Sequence, residues 1–308
     1  MRETLAARGR LYAALAATWV LLGYLVLSHG QTTNAGFASL HVTSLTYFLN
    51  QPAMIARYLS LMFWPGPLVL YYGWTPQVTA AQVWLPTLVV SVLGVASLVA
   101  LLKRPRIGLL CVMFFVWLAP TSSCVPIATE VAAERRMYLP SMAIITLLLL
   151  AGAWIIRRGA ERRLITTSAA PHAATIVVVA CGVALATRTV YRNAEYRSPL
   201  AMSKSILDRW PSGNAHQLYG VALSADGQHD AALEQYRLAL QRGYPVARYF
   251  LGGDLIDLGR TDEGVRELQQ FIREEPNLET TDASRAMLAD VFVARRQFDD
   301  AAVQYRAF

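Results

Sequence analysis

Long apolar stretches alternate with short basic or polar segments over the first 192 residues of the chain. A helix needs about 20 residues to cross a bilayer. The stretches of suitable length and composition lie near Leu11–Ser28, Val83–Leu102, Ile107–Pro120, Pro140–Ile156 and Ala173–Val190. The third is short, so we expect it to begin within residues 103–106. The pattern predicts a polytopic transmembrane helical domain of about five spans over residues 1–192.

Two features of this domain leave alternatives. Leu11–Ser28 could be a signal peptide, but its long apolar core and the lack of a small-residue cleavage site favour a retained span. Gln51–Trp64 starts too polar to span, and Pro52 suits a first helical turn. Its aromatic residues and single arginine suit a helix in the headgroup region. A helix packed among the spans is the equal alternative.

From residue 193 the hydropathy falls, and a pattern of small and large residues recurs every 32–37 residues or so, which is typical of a helical solenoid. The positions are Leu218-Tyr219-Gly220, Gly227, Ala232, Tyr236 and Ala239; then Leu251-Gly252, Gly259, Gly264, Leu268, Phe271 and Pro276; then Leu288-Ala289, Phe298, Ala301, Tyr305 and Phe308. They match the tetratricopeptide pattern, in which small residues let paired helices approach closely. We therefore predict about three such repeats over residues 193–308, with residues 198–211 as a joining helix.

Together the two halves predict an all-α protein: a polytopic transmembrane helical domain followed by an α-solenoid of tetratricopeptide repeats. Gly264 stands where the pattern has alanine, which should weaken that helix by about 1 kcal/mol. A solenoid offers an extended surface for a protein or peptide partner. The alternative is that the repeats merely stack on the membrane domain.

Basic residues give the predicted orientation, because they are enriched in cytoplasmic loops. Ten lie on one side of the predicted spans: Arg2, Arg8, Arg10, Lys103, Arg104, Arg106, Arg157, Arg158, Arg162 and Arg163. Six lie on the other: Arg57, Arg135, Arg136, Arg188, Arg192 and Arg197. The larger group predicts the cytoplasmic side, so residues 119–140 and everything after residue 192 are expected outside the cytoplasm.

Charge and composition narrow the possible functions. The net charge of +7 divides into +11 for residues 1–192 and −4 for the remainder. The excess of basic residues flanks apolar spans, which is a membrane pattern, and no nucleic-acid-binding motif accompanies it. The three cysteines and five histidines show neither a disulfide framework nor ligand spacing. We therefore predict no metal site, no cofactor and no nucleic-acid partner.

A charged segment at the membrane boundary is the candidate site. Residues 119–140 place Glu130, Glu134, Arg135 and Arg136 close to Tyr138. Charge at this depth is costly and marks a functional-site hypothesis. Guanidinium groups suit phosphate, because they offer forked donors to its oxygens. The alternatives are an ion pair with one of the two glutamates, or arginines that extend to lipid headgroups.

The order of the parts resembles a known family. Ala56–Pro65 with Tyr72-Gly73-Trp74, and then Leu118–Ile127 with Ala133–Ser141, resemble the central region of the transmembrane and tetratricopeptide-repeat proteins. That family belongs to the C-type glycosyltransferase superfamily, is protein O-mannosyltransferase-like, and carries its repeats on the extracytoplasmic side. The resemblance covers nearly the whole chain.

The resemblance implies transfer of a sugar from a polyprenyl-phosphate carrier to Ser or Thr of a protein that the repeats engage. The lipid-linked sugar would be the donor substrate, with Arg135, Arg136 and Tyr138 near the carrier phosphate. Family members have an acidic catalytic residue in an earlier outer loop. Here no Asp or Glu lies between Glu3 and Glu130. Transfer needs a carboxylate as general base.

Glu130 and Glu134 are the remaining outer carboxylates, and we expect them to orient the arginines. The catalytic residue stays open, with Glu134 as the candidate base. The resulting hypothesis is the C-terminal portion of a polyprenyl-phosphate-sugar-dependent protein glycosyltransferase, inactive alone. The alternative is a non-catalytic membrane-anchored scaffold that binds proteins through its repeats. Compact spans and short loops favour a bacterial inner membrane with the repeats in the periplasm.

Overall fold

Helices dominate the architecture seen in a computed structural model of the chain. The structure describes residues 9, 13–14, 17–18, 20–21, 23–25, 42–73, 78–122, 127, 130–162, 169–276 and 278–307. It is 81% helical, and its described part contains no strand, so the all-α prediction is confirmed. The α-helices are α1 Ser44–Phe63, α2 Ala80–Lys103, α3 Pro105–Leu118, α4 Tyr138–Glu161, α5 Ala169–Glu195, α6 Pro199–Arg209, α7 Gly213–Ala225, α8 His229–Gln241, α9 Ala247–Asp257, α10 Thr261–Glu274, α11 Glu279–Ala294 and α12 Phe298–Arg306; a 3₁₀ turn covers Glu134–Met137.

Among the described residues, three helices are long and apolar enough to cross a membrane: α2, α4 together with its preceding 3₁₀ turn, and α5. The protein is thus consistent with a membrane protein. The predicted third span is the shorter apolar helix α3, which begins at Pro105. Proline suits a first helical turn because the amide it lacks would be unbonded there. The first predicted span falls mainly outside the described residues, and those described within it are helical.

The helix α1 differs from the prediction at its start. It begins at Ser44, and the Thr43 hydroxyl accepts the amide of Thr46 as an N-cap. Pro52 therefore lies inside the helix, so its predicted place in a first turn was wrong; the capping threonine outweighs the proline as a start signal. Tyr47 and Tyr58 on this helix are fully buried, which favours the packed alternative.

The core of the membrane half sits at one end of its helices. It joins side chains from α1, the loop after α1, α3, the segment before α4 and α4 itself: Met54, Ile55, Tyr58, Val69, Tyr72, Phe114, Leu118, Val131, Ala132, Met137 and Ala143. The outer surfaces of α2, α4 and α5 are apolar and are not covered by other helices. In the most apolar 18-residue stretch of each helix, only 6%, 11% and 0% of the residues are buried. Such surfaces suit contact with lipid.

After α6, the helices pack in consecutive pairs: α7 with α8, α9 with α10, and α11 with α12. Small residues permit this contact, because a Cβ built on Gly220 would lie 2.6 Å from the Tyr236 ring. The turn within each pair contains a residue with positive φ: Gly227 at 79°, Gly259 at 78° and Arg296 at 61°. The recurring turn matches the predicted period, while the division of the chain at residue 192 stays a prediction.

The two halves of the chain contact each other at the joining helix and at the loop after α1. As predicted, a helix joins them: α6 begins at Pro199 and is capped by the Ser198 hydroxyl, which accepts the amide of Ala201. At its end, Trp210 packs edge-on against Tyr72, with ring centroids 5.2 Å apart. A Cβ built on Gly73 would lie 3.2 Å from Cβ of Asn214 on α7. The paired helices are therefore seated on the loop that follows α1.

Candidate functional site

Arg136 lies in a half-buried network that ties the charged segment to α1. Its Nη1 donates to the Tyr47 hydroxyl at 3.1 Å, to the Thr121 carbonyl at 3.1 Å and to the Val131 carbonyl at 3.5 Å. Its Nη2 donates to the Glu130 carbonyl at 3.1 Å. A planar guanidinium with five donors suits such a set of acceptors. In this arrangement Arg136 holds the backbone of the segment and has no contact with a carboxylate among the described residues.

Arg135 points to the opposite side, into solvent. Its Nη2 lies 2.5 Å from Oε2 of Glu130, and its side chain is 71% exposed, whereas the Glu130 side chain is 12% exposed. This is the ion pair that the alternative interpretation expected for Arg135. Glu130 thus orients one arginine through its side chain and the other through its carbonyl.

Tyr138 opens α4 and is 82% exposed. The structure gives its hydroxyl no hydrogen bond within the described residues. Arg135, Arg136 and Tyr138 follow one another in sequence, but their side chains do not converge on one pocket. Their assignment to a lipid-linked phosphate stays a prediction.

Glu134 bonds with the loop after α1. Its Oε1 accepts the Val69 amide at 2.6 Å and the Tyr72 hydroxyl at 3.2 Å. The expectation that it orients the arginines was wrong, because the 3₁₀ turn directs its carboxylate away from Arg135 and towards this loop. The Glu134 carboxylate thereby joins the charged segment to the loop on which the paired helices sit.

Tyr72 in turn contacts Arg57 and Trp210. Arg57 donates from Nε to the Tyr72 hydroxyl at 2.8 Å, and its guanidinium carbon lies 5.4 Å from the ring centroids of both Tyr72 and Trp210. Burial raises the pKa of Tyr72, opposed by the hydrogen bond and charge of Arg57. Tyr72 therefore stays protonated at neutral pH and donates to Glu134.

Sequence reasoning missed a second group of arginines, beside this loop. Arg188 donates from Nε to the Pro65 carbonyl at 3.0 Å, and Arg209 donates from Nη1 to the Leu68 carbonyl at 2.9 Å. Arg192 and Arg209 both bond the carboxylate of Glu195. The available signal was the i, i+4 spacing of Arg188 and Arg192 at the end of an apolar helix, which places both on one face.

The described residues contain no group of three or more His, Cys, Asp or Glu side chains that could hold a metal ion. Within the same part of the chain, Cys111 and Cys181 are free thiols. The chemistry that the described sites offer is therefore hydrogen bonding and charge, mainly from arginine and tyrosine. No family model matches the chain, and comparison with curated proteins finds no significant match.

Proposed function

We propose that the protein is a membrane-anchored helical-repeat protein that binds a protein partner on the extracytoplasmic side of the membrane. The observation that carries this proposal is the seating of the paired helices on the membrane half through Tyr72, Gly73 and Arg209. A solenoid held in place in this way presents a fixed surface beside the bilayer. In the proposal, the paired helices after residue 193 are tetratricopeptide repeats.

Two parts of the family resemblance support a more specific proposal. The resemblance rests on two blocks, Ala56–Pro65 and Ala133–Ser141. The blocks are in contact, because the Tyr58 hydroxyl bonds the backbone of Ala133, which is 75 residues further along the chain. The Val131 amide also donates to the Gly73 carbonyl at 3.0 Å. The two blocks that carry the resemblance thus form one packed unit.

On that basis the chain corresponds to the C-terminal portion of a polyprenyl-phosphate-sugar-dependent glycosyltransferase, and its repeats bind the acceptor protein. Arg135 and Tyr138 have the exposure that contact with a lipid-linked phosphate needs. The localisation that fits is a bacterial inner membrane with the repeats in the periplasm. The donor would be a lipid-linked sugar, and the transferred group would pass to a Ser or Thr hydroxyl.

The carboxylates of Glu130 and Glu134 are both engaged in hydrogen bonds within the protein, which favours a second candidate function, a non-catalytic scaffold. Glu130 pairs with Arg135, and Glu134 accepts two hydrogen bonds from the loop after α1. A carboxylate acts as a general base only if it can reach the acceptor hydroxyl. Both candidate functions use the same protein-binding surface. They differ in whether the protein takes part in glycosyl transfer.

Glycosyl transfer by the purified chain tests whether it is an enzyme by itself, which neither candidate expects. We expect no transfer from polyprenyl-phosphate mannose to a Ser/Thr-containing protein. Turnover that Glu134→Gln or Glu130→Gln abolishes would make the chain an enzyme by itself. Turnover that survives both substitutions would contradict the account of the missing base.

Protein binding and orientation are tested in cells. A photo-reactive amino acid at Tyr249 on α9 should give a discrete protein adduct, and the same probe at Arg266, an exposed residue of α10, should not. A cysteine at Gln297, in a variant without Cys111, Cys124 and Cys181, should react with an impermeant maleimide from the periplasm. Labelling only after lysis of the inner membrane would reverse the orientation.

A further inference from the structure

A small cavity lies at the C-terminal end of α5, where this apolar helix meets the loop after α1 and the joining helix α6. Its lining is Leu68, Arg188, Tyr191, Arg192, Glu195 and Arg209. Three parts of the chain that are far apart in sequence therefore build it. Arg188 and Arg192 are four residues apart on one helix, so their guanidinium groups emerge on the same face.

The lining carries more positive charge than its one carboxylate balances. Glu195 bonds both Arg192 and Arg209, and it also accepts the Ser205 hydroxyl at 2.9 Å. Arg209 also donates from Nη1 to the Leu68 carbonyl at 2.9 Å. Three arginines against one glutamate leave a net charge of +2 in the lining, which favours an anion.

Unlike Arg192 and Arg209, Arg188 forms no salt bridge with Glu195 or with another carboxylate of the described residues. Its Nε bonds the Pro65 carbonyl at 3.0 Å, and its terminal nitrogens have no hydrogen-bond partner within the described part of the chain. A Cβ built on Gly66 would lie 2.0 Å from Nη2 of Arg188, so the guanidinium rests against the Gly66 backbone. The group is held in position with its outer amino groups still able to donate.

The position of the cavity at the end of a lipid-facing helix favours a membrane lipid as the source of the anion. The most apolar window of α5 is 0% buried within the protein, so this helix faces lipid. Its C-terminal end carries Tyr191, which is 70% exposed, and Tyr196, which is 48% exposed. Aromatic residues of this kind are enriched at the height of the headgroups. A lipid lying along α5 would bring its phosphate to the cavity.

We propose that this cavity binds the phosphate group of an anionic membrane lipid, with Arg188 and Arg192 as the donors. Guanidinium offers forked donors that match phosphate oxygens better than an ammonium group does. The site uses none of the residues predicted for a lipid-linked sugar. It depends on α5 crossing the bilayer, and it does not require glycosyl transfer or a partner on the repeats.

The test is native mass spectrometry of the full chain in detergent, titrated separately with phosphatidylglycerol, phosphatidylcholine and inorganic phosphate. We expect tighter retention of phosphatidylglycerol than of phosphatidylcholine. Arg188→Gln should weaken retention of phosphatidylglycerol about tenfold, because hydrogen bonds to charged groups are the strong ones. Arg188→Lys should lie between the wild type and Arg188→Gln, since it keeps the charge and loses the fork.

Arg197→Gln is the matched control. Arg197 is exposed at the same end of α5 and does not line the cavity, so its loss removes the same charge and should change retention less than twofold. Equal effects of Arg188→Gln and Arg197→Gln, in variants whose melting temperatures match the wild type, would overturn the proposal. Arg188-dependent binding of inorganic phosphate alone would overturn the lipid as the source.

Discussion

Tyr58 and Ala133 exchange two hydrogen bonds. The Tyr58 hydroxyl donates to the Ala133 carbonyl at 3.1 Å and accepts the Ala133 amide at 2.8 Å. Both residues are buried, with Tyr58 at 0% exposure. A single side chain thus provides both partners that the Ala133 backbone needs, and it fixes the charged segment to α1.

Tyr58→Phe should therefore lower the free energy of unfolding by about 2–4 kcal/mol, because it leaves two buried backbone groups without partners. Thermal unfolding in detergent measures the effect. Tyr138→Phe is the control: it removes the same hydroxyl from a side chain that is 82% exposed, so its melting temperature should stay within error of the wild type. Equal losses for the two variants would contradict the role given to Tyr58.

Arg136→Lys should destabilise the protein by about 2 kcal/mol, because one ammonium cannot reproduce the four contacts of the guanidinium. Arg135→Lys should cost less than about 1 kcal/mol, since an exposed ion pair contributes little. Paired unfolding curves of the two variants provide the measurement. If Arg135→Lys proves the more damaging change, Arg136 is not the residue that holds this segment.

Gly73→Ala should loosen the contact between the membrane half and α7. The residue has φ of +72°, and an added Cβ would lie 3.2 Å from Cβ of Asn214. Gly227→Ala carries the same backbone strain, at φ of +79°, but meets nothing within 4 Å. If proteolysis between residues 195 and 199 is faster in Gly73→Ala but not in Gly227→Ala, the loss of the contact with Asn214 explains the effect and backbone strain does not. Similar cleavage in both variants would mean that backbone strain explains the effect.

Gly264→Ala should destabilise α10, although alanine is the better helix former by about 1 kcal/mol. An added Cβ would lie 2.6 Å from the Gly252 carbonyl oxygen and 2.6 Å from a side-chain carbon of Ile256. Overpacking of this kind costs about 1–3 kcal/mol. Gly253→Ala on α9 meets only Met287 at 3.5 Å and should be neutral or stabilising. Thermal unfolding checks this prediction: the melting temperature of Gly264→Ala should lie below that of Gly253→Ala, and the reverse order would contradict it.

Acidification should weaken α7 through His216. Burial lowers the pKa of His216, opposed by its hydrogen bond with Gln235. The unfolded chain therefore binds the proton more readily, and the stability that neutral His216 contributes is present above its unfolded pKa of about 6.5 and lost as pH falls through its folded pKa. Hydrogen exchange of α7 amides, corrected for intrinsic rates, should show less protection at pH 5.5 than at pH 7.5.

His216→Gln removes this titration and should flatten the pH dependence of α7. Exchange in α11, which lies two helix pairs along and is separated from His216 by α9 and α10, should respond equally in both proteins. An unchanged pH slope in α7 of His216→Gln would assign the effect to other groups.

The helices themselves could be predicted from the sequence, because apolar length and the small–large pattern are local signals. The ends of α2, α3 and α4 lie within a few residues of the predicted spans. The start of α1 was missed because Pro52 was interpreted as a first-turn residue, whereas the helix starts at the cap formed by Thr43. Gly264 was interpreted by helix propensity alone, whereas its place opposite Gly252 shows that the close approach of two helices selects it.

The site was harder to predict, because the direction of each side chain depends on distant residues. Arg135 and Arg136 are neighbours in sequence, and the 3₁₀ turn sends one to solvent and the other to Tyr47, which is 89 residues away. The arginines at the end of α5 gave only an orientation signal. Arg188 bonds the carbonyl of Pro65, which is 123 residues away and beyond the reach of spacing arguments.

Only three residues separate the last helix of the membrane half from α6, since α5 ends at Glu195 and α6 begins at Pro199. Three extended residues span about 10 Å. If α5 crosses the membrane as proposed, the start of the paired helices is held close to the bilayer surface and moves with α5 in the plane of the membrane. A partner that is itself attached to the membrane meets them at a high effective concentration, whereas a freely diffusing partner has no such advantage.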